Sequence, residues 1–318
     1  MKVDFVQMQS AEKLCRFSEM EYAFFATFLF AWSVSCARQS TKFHGPNVAN
    51  SGRILVALIF FSLVVLLTGR KPITPGWEWL VLSGALGLGI GDIALFHALP
   101  RIGPALSILI MQCLAAPFAL SIEYLMLGTT ITWVQAGSAL VIFCGVIVAL
   151  GSPPEGAEDR QQRRLGIALA VLAGIGQACG AVSTPLAKEA CIFAGEAVPD
   201  GVSQGFVRVL GGAPIVLGFA LWQSRGKGFF DGVIRPYPKL RSLSWMTMNG
   251  LSGPGIGVAC YQWALTLYPA GIVLSIVATS PIFALPMQWA TEGKRPGARA
   301  WIGATIAVAG LILLRQTG

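Results

Sequence analysis

The segment GALGLGIGD, residues 84–92, returns 166 residues later as GLSGPGIGV, residues 250–258. Gly84, Gly87, Gly89, Ile90 and Gly91 fall on Gly250, Gly253, Gly255, Ile256 and Gly257, and Ala98-Leu99 then falls on Ala264-Leu265, giving seven identities in 16 positions. Two further correspondences keep nearly the same spacing. Pro117 in AAPFAL matches Pro281 in TSPIFAL, and Arg53 in NSGRIL matches Arg208 in GFVRVL. The chain is written as two copies of one unit, split near the charged stretch SPPEGAEDRQQRR at 152–164. Gly87 with Gly91, and Gly253 with Gly257, are GxxxG pairs, which let two membrane helices approach to backbone contact.

Both copies lie in apolar sequence. Only 12% of residues are charged and 54% are hydrophobic, against about 25% charged in a soluble domain. The mean hydropathy of +0.66 says the same. Runs close to the roughly 20 residues that cross a bilayer occur ten times, at about 22–39, 48–68, 78–99, 104–127, 132–151, 165–187, 202–222, 245–267, 270–290 and 299–315. Each unit therefore holds five spans. Five is odd, so the second unit enters the membrane from the opposite side, as in inverted-repeat secondary transporters. The expected fold is an all-α integral membrane protein of ten transmembrane helices built as two inverted five-helix repeats. The expected divisions are a head at 1–21 that reads as an interfacial helix, a first repeat at 22–151, a charged linker at 152–164 and a second repeat at 165–318.

Composition removes several function classes. The seven cysteines show no CxxC or CxxH spacing, so neither a zinc site nor a disulfide framework is indicated and no metal or cofactor is expected. The net charge of +8 comes from basic residues scattered over loops without interleaved aromatics, which suits anionic lipid headgroups and not nucleic acid. The first apolar run follows a mixed-charge head, unlike a secretory signal. There is no P-loop, HExxH or GxSxG, so neither ATP-driven transport nor a familiar intramembrane hydrolase is indicated. A channel would show a filter-like loop or a ring of like charges.

The sequence is similar to the drug/metabolite transporter superfamily, specifically to its EamA-like ten-helix members. The third and eighth spans end in HALPRIG and QWALTLYPAG, the fourth and ninth carry AAPFAL and TSPIFAL, and the fifth and tenth carry GSALVIFCG and GATIAVAG. The ninth span ends at Glu292 in ATEGK, as is common in that family, whereas Thr129 stands at the matching end of the fourth. The resemblance implies a carrier that works by alternating access, with a cavity lined mainly by the first, third and fourth helices of each half. It also implies cytoplasmic termini in a bacterial inner membrane. The positive-inside rule points the other way, with seven basic residues on the terminus side against fourteen opposite, so the orientation stays open.

Ionisable side chains at membrane depth are costly and mark function by default. Here they are Arg53, Asp92, His97, Glu123 and Arg208. Counting helix rise places Asp92 and Arg53 at similar depth from one face and Glu123 with Arg208 near the other, using about 1.5 Å per residue. Asp92 reads either as a cavity carboxylate for a cationic group or coupling proton, or as a static partner of Arg53. Val258 holds its place in the second repeat, so symmetric packing does not need the acid. Glu123 either snorkels or meets Arg208, and His97 reads as a satisfied polar residue. Arg53 and Arg208 serve architecture or hold an anionic group. Trp32, Gln112, Gln177, Tyr261 and Gln262 are further candidates for the cavity wall, together with Trp263 and Gln288. Pro117 and Pro281 are candidate hinges. The expectation is a secondary transporter of a small organic metabolite, such as an amino acid or related compound, with proton coupling through Asp92. Its partners would be that solute and membrane lipids, with a homodimer left open.

Overall fold

The structure, a computed structural model, describes residues 2–127, 132–151, 160–224, 239–267, 270–293 and 295–315; the side chains of residues 2–20, 123, 126, 127, 239, 270–272, 275, 314 and 315 are not among those described. Of the described residues, 91% are helical. Helix α1 spans Lys2–Thr68, and its backbone runs on through residue 21, where the sequence set the head apart. Gly45 breaks it, at φ 75° and ψ 167°, a left-handed φ that suits glycine. Pro46 follows, so the two expected spans of α1 meet at a corner.

Next come α2 (Trp77–Gly84), a π-helical segment over Ala85–Gly91, α3 (Asp92–Ile102), α4 (Pro104–Leu127) and α5 (Trp133–Leu150). The remaining elements are α6 (Arg160–Phe193), α7 (Gly201–Ser224), α8 (Lys239–Gly250), a second π-helical segment over Leu251–Gly255, α9 (Ile256–Leu267), α10 (Ala270–Val277), α11 (Ser280–Glu292) and α12 (Ala298–Arg315). Thr132 caps α5 in a capping box with Gln135.

Every expected apolar run falls on helix, but not as ten separate rods. Among the described residues six helices are long and apolar enough to cross a membrane: α1 carries two of the expected runs, and none of the last three runs is among the six, Ala298–Leu313 being a shorter apolar helix. In the second half, a turn at residues 278–279 divides the ninth run into α10 and α11. The charged linker is also shorter than the sequence implied, since α6 already begins at Arg160. The rest of that linker, 152–159, lies outside the described residues, as do 225–238 and Thr129.

The glycine repeat packs the two halves through each other. A Cβ at Gly84 would collide with the carbonyl of Arg208 on α7, and a Cβ at Gly250 would lie 2.7 Å from the carbonyl of Arg53 on α1. Three residues on, a Cβ at Gly87 would lie 3.4 Å from Arg208 Nη2, and one at Gly253 3.4 Å from Arg53 Nη1. The glycine segment of each half thus lies against the arginine helix of the other. Both π-helical segments fall on these glycines, and such bulges are frequent at functional sites. The α5–α12 pair closes in the same way, with Gly145 set against Ala307 and Gly303 against Ala149 at distances that leave no room for a side chain.

Candidate functional site

The two halves cross around a cavity of ≈ 60 Å³ that is partly open at its mouth. Its polar lining is Ser33 from α1, Arg53 beyond the Gly45 corner, Asp92 from α3, Gln112 from α4, Gln177 from α6, Arg208 from α7 and Tyr261 from α9. Phe30, Leu88, Leu95, Phe96, Ile108, Met111 and Val258 form the apolar walls.

Arg53 and Asp92 form a buried ion pair. Arg53 Nε donates to Asn50 Oδ1 at 3.0 Å, and the guanidinium lies 4.7 Å from the centroid of the Phe96 ring. Both ionic partners are under 10% exposed, so the pair is dry and its loss on one side leaves a charge in low dielectric. Nearby, Ser33 Oγ donates to Asn249 Oδ1 at 2.7 Å and stitches α1 to the end of α8.

Arg208 is held differently. Its Nη1 donates to Gln262 Oε1 at 3.0 Å, and Gln262 Nε2 donates in turn to Gln204 Oε1 at 3.1 Å. Gln204 Nε2 reaches Thr266 Oγ1 at 3.0 Å and the Pro199 carbonyl at 2.7 Å. The guanidinium also lies 5.8 Å from the Tyr261 ring centroid. This relay of neutral amides orients the arginine without neutralising it.

Of the residues expected at the site, Arg53, Asp92, Gln112, Gln177, Arg208 and Tyr261 line the one cavity, and Gln262 stands behind Arg208. Trp32 does not line it; its ring packs 6.2 Å from that of Trp245. The expected meeting of Glu123 with Arg208 falls on a side chain outside those described. Arg208 instead shares the cavity with Asp92, which corrects the depth count, since helix rise along one axis does not say which side chains meet. His97 has the partner a satisfied residue needs, Asn47 Oδ1 at 2.9 Å from Nε2. Trp263 stacks on Tyr22, with ring centroids 5.3 Å apart.

The two prolines are not equivalent. Pro117 lies inside the unbroken α4, whereas Pro281 starts α11 just after the turn at 278–279. The lining is unequal too. The fourth helix contributes Ile108, Met111 and Gln112, but no described residue of the ninth run does. Its Pro281, Leu285 and Gln288 line a second cavity with Arg101, Arg163 and Arg295. Gln288 Oε1 there accepts from the Ala105 backbone N–H at 3.0 Å.

Sequence reasoning missed the relay through Gln204 and the role of Asn50, because neither side chain carries a charge. It also left Glu292 without partners. Glu292 Oε1 meets Arg38 Nε at 3.2 Å and Lys42 Nζ at 2.5 Å, tying the end of α11 to α1. Glu292→Gln is expected to lower stability by about 1–3 kcal/mol, since two cations lose a charge-assisted acceptor. Thermal unfolding in detergent at low and high salt checks it, and an unchanged midpoint would show that the pairing contributes nothing.

Apolar helices of membrane length, arranged around a cavity with charged side chains in its lining, define a multi-pass integral membrane protein. The sequence model of the EamA-like transporter family matches residues 18–151 and again residues 164–316. The chain therefore belongs to the EamA-like transporter family, membrane transporters of the drug/metabolite superfamily. No curated protein matches the sequence. A solved structure described only as "Crystal structure of protein" is similar over 93% of this chain and 96% of its own, with a TM-score of 0.63 and 17% identity. At that identity the likeness concerns the fold alone.

Proposed function

We propose that the protein is a secondary carrier for a small organic solute, of the size of an amino acid or a related compound, working by alternating access in a bacterial inner membrane. In this reading its helical runs form ten spans, arranged as two five-helix repeats of opposite topology. The observation that carries it is the convergence of Arg53, Asp92 and Arg208, drawn from both repeats, on one cavity. Buried ionisable groups at membrane depth are expensive, and a cavity that gathers three of them supplies a reason to keep them. The reciprocal glycine contacts give the two halves a shared seam along which they can rock.

Asp92 is the coupling candidate. A proton on its carboxylate removes the charge that holds Arg53, so loading the proton and loosening the α1–α3 contact are one event. Pro281 marks the place where the ninth run bends, and Pro117 has removed one backbone hydrogen bond from α4.

The test is uptake into proteoliposomes under an imposed proton gradient, with counterflow to separate a carrier from a channel. Saturable uptake with counterflow supports the reading, while linear, unsaturated flux of the same solute rejects it. Replacing both Pro117 and Pro281 by alanine should slow exchange several-fold in the same vesicles. Unaltered exchange would remove the prolines from the mechanism.

A further inference from the structure

The cavity is not electrically balanced. Two guanidinium groups and one carboxylate face it; the carboxylate pairs directly with Arg53 and acts on Arg208 only through space. Among the described residues Arg208 makes no ion pair. It is 2% exposed, and its Nε has no hydrogen-bond partner. Its one described acceptor is the neutral amide oxygen of Gln262. A buried guanidinium held by one amide oxygen and the face of the Tyr261 ring is costly unless an anion completes it.

The repeat shows where that anion would sit. The residue equivalent to Asp92 in the second half is Val258, at the same offset of 166 that aligns the glycines. Val258 lines the cavity and faces the arginine helix: a Cβ at Gly205, three residues before Arg208 on α7, would lie 3.5 Å from Val258 Cγ1. The first half fills its slot with a carboxylate, and the second half keeps the arginine but leaves the slot apolar. The guanidinium is kept clear of side chains, since a Cβ at Gly87 or Gly180 would come within 3.4 or 3.5 Å of Nη2.

We infer that Arg208 is an open anion subsite and that the solute is a small monocarboxylate with an apolar body, its carboxylate taking against Arg208 the place Asp92 takes against Arg53. The inference rests on the carrier reading and adds the substrate class to it. One uncompensated positive charge fits a singly charged anion and not a phosphate, which carries about −1.5 to −2. A guanidinium suits a planar carboxylate that can accept two parallel hydrogen bonds. Phe30, Phe96, Leu88 and Met111 line the part of the cavity where an apolar body would pack, beside the polar groups of Ser33, Gln112 and Gln177.

The first test needs no ligand. Val258→Asp should unfold at a higher temperature than Val258→Asn, because it gives Arg208 its missing partner, and the advantage should vanish in Arg208→Gln/Val258→Asp. If Val258→Asp is no more stable than Val258→Asn, the slot does not accept an anion and the inference falls.

The second test is calorimetric titration of the detergent-solubilised protein with 3-phenylpropionate and 4-methylpentanoate, set against 3-phenylpropanamide and phenethylamine. At least one carboxylate should bind, with the amide and the amine weaker by about tenfold or more. Val258→Asp and Arg208→Gln should each weaken the carboxylate by a similar factor. Equal or tighter binding of the amine, or no binding of either carboxylate, overturns the proposal. Uptake of the same probes into liposomes separates the two readings. Carboxylate binding without saturable uptake sinks the carrier and leaves the subsite, whereas uptake of the amine without carboxylate binding sinks the subsite and leaves the carrier.

Discussion

Asp92→Asn is expected to lower folding stability by about 3–5 kcal/mol, because it strands Arg53 in a dry environment after removing its ionic partner. Asn50 can hold Arg53 Nε but cannot neutralise the guanidinium. Truncating both sides should be milder. Arg53→Gln/Asp92→Asn leaves two neutral amides that can pair with each other, and much of the lost stability should return. The double variant also separates structure from transport. If Asp92 only ties α1 to α3, the refolded double variant should carry solute nearly as well as the parent. If Asp92 also couples the proton, uptake should lose its response to an imposed pH gradient while binding survives. Thermal unfolding in detergent and gradient-driven uptake in liposomes read the two quantities from one preparation.

The second large effect concerns the seam. Gly84→Ala would put a methyl group into the Arg208 carbonyl, so the α2 region and α7 must part or bend. Overpacking of this kind costs about 1–3 kcal/mol and sometimes more. A methyl at Gly250 would meet the Arg53 carbonyl at 2.7 Å, which is also too close, and should cost somewhat less. Gly87→Ala is the informative contrast. Its methyl would stand 3.3 Å from Gln177 Oε1 and 3.4 Å from Arg208 Nη2, side-chain tips that can give way. It should therefore fold almost as the parent does and yet crowd the cavity, reducing solute affinity more than stability. Unfolding midpoints ordered Gly84→Ala below Gly250→Ala below Gly87→Ala would support the seam. Equal midpoints for all three would mean that the repeat glycines are not where the halves close.

Gly84, Arg208 and Asp92 show how far the chain could be read before its structure was known. Period and composition exposed the repeat, because a membrane helix must be apolar throughout and a close crossing must be glycine. The same logic picked out the short list of ionisable residues, since charge at membrane depth is rare. Most of the list converged on one cavity. Glu123 could not be followed, and Trp32 went elsewhere, because aromatic residues are equally at home in a helix crossing.

What the sequence by itself determined is the helical membrane class, the duplication, and the asymmetry between Asp92 and Val258, all of which are visible at fixed offsets along one dimension. Only the tertiary structure decided that each half's glycines lie on the other half's arginine helix, that Arg208 shares a cavity with Asp92, and that a relay of glutamines leaves it without a counter-charge. The physical reason is that helix rise sets depth along a single axis, whereas which side chains meet depends on tilt, rotation and crossing. Those are fixed by packing between segments far apart in the sequence, such as Gly84 against Arg208, 124 residues away.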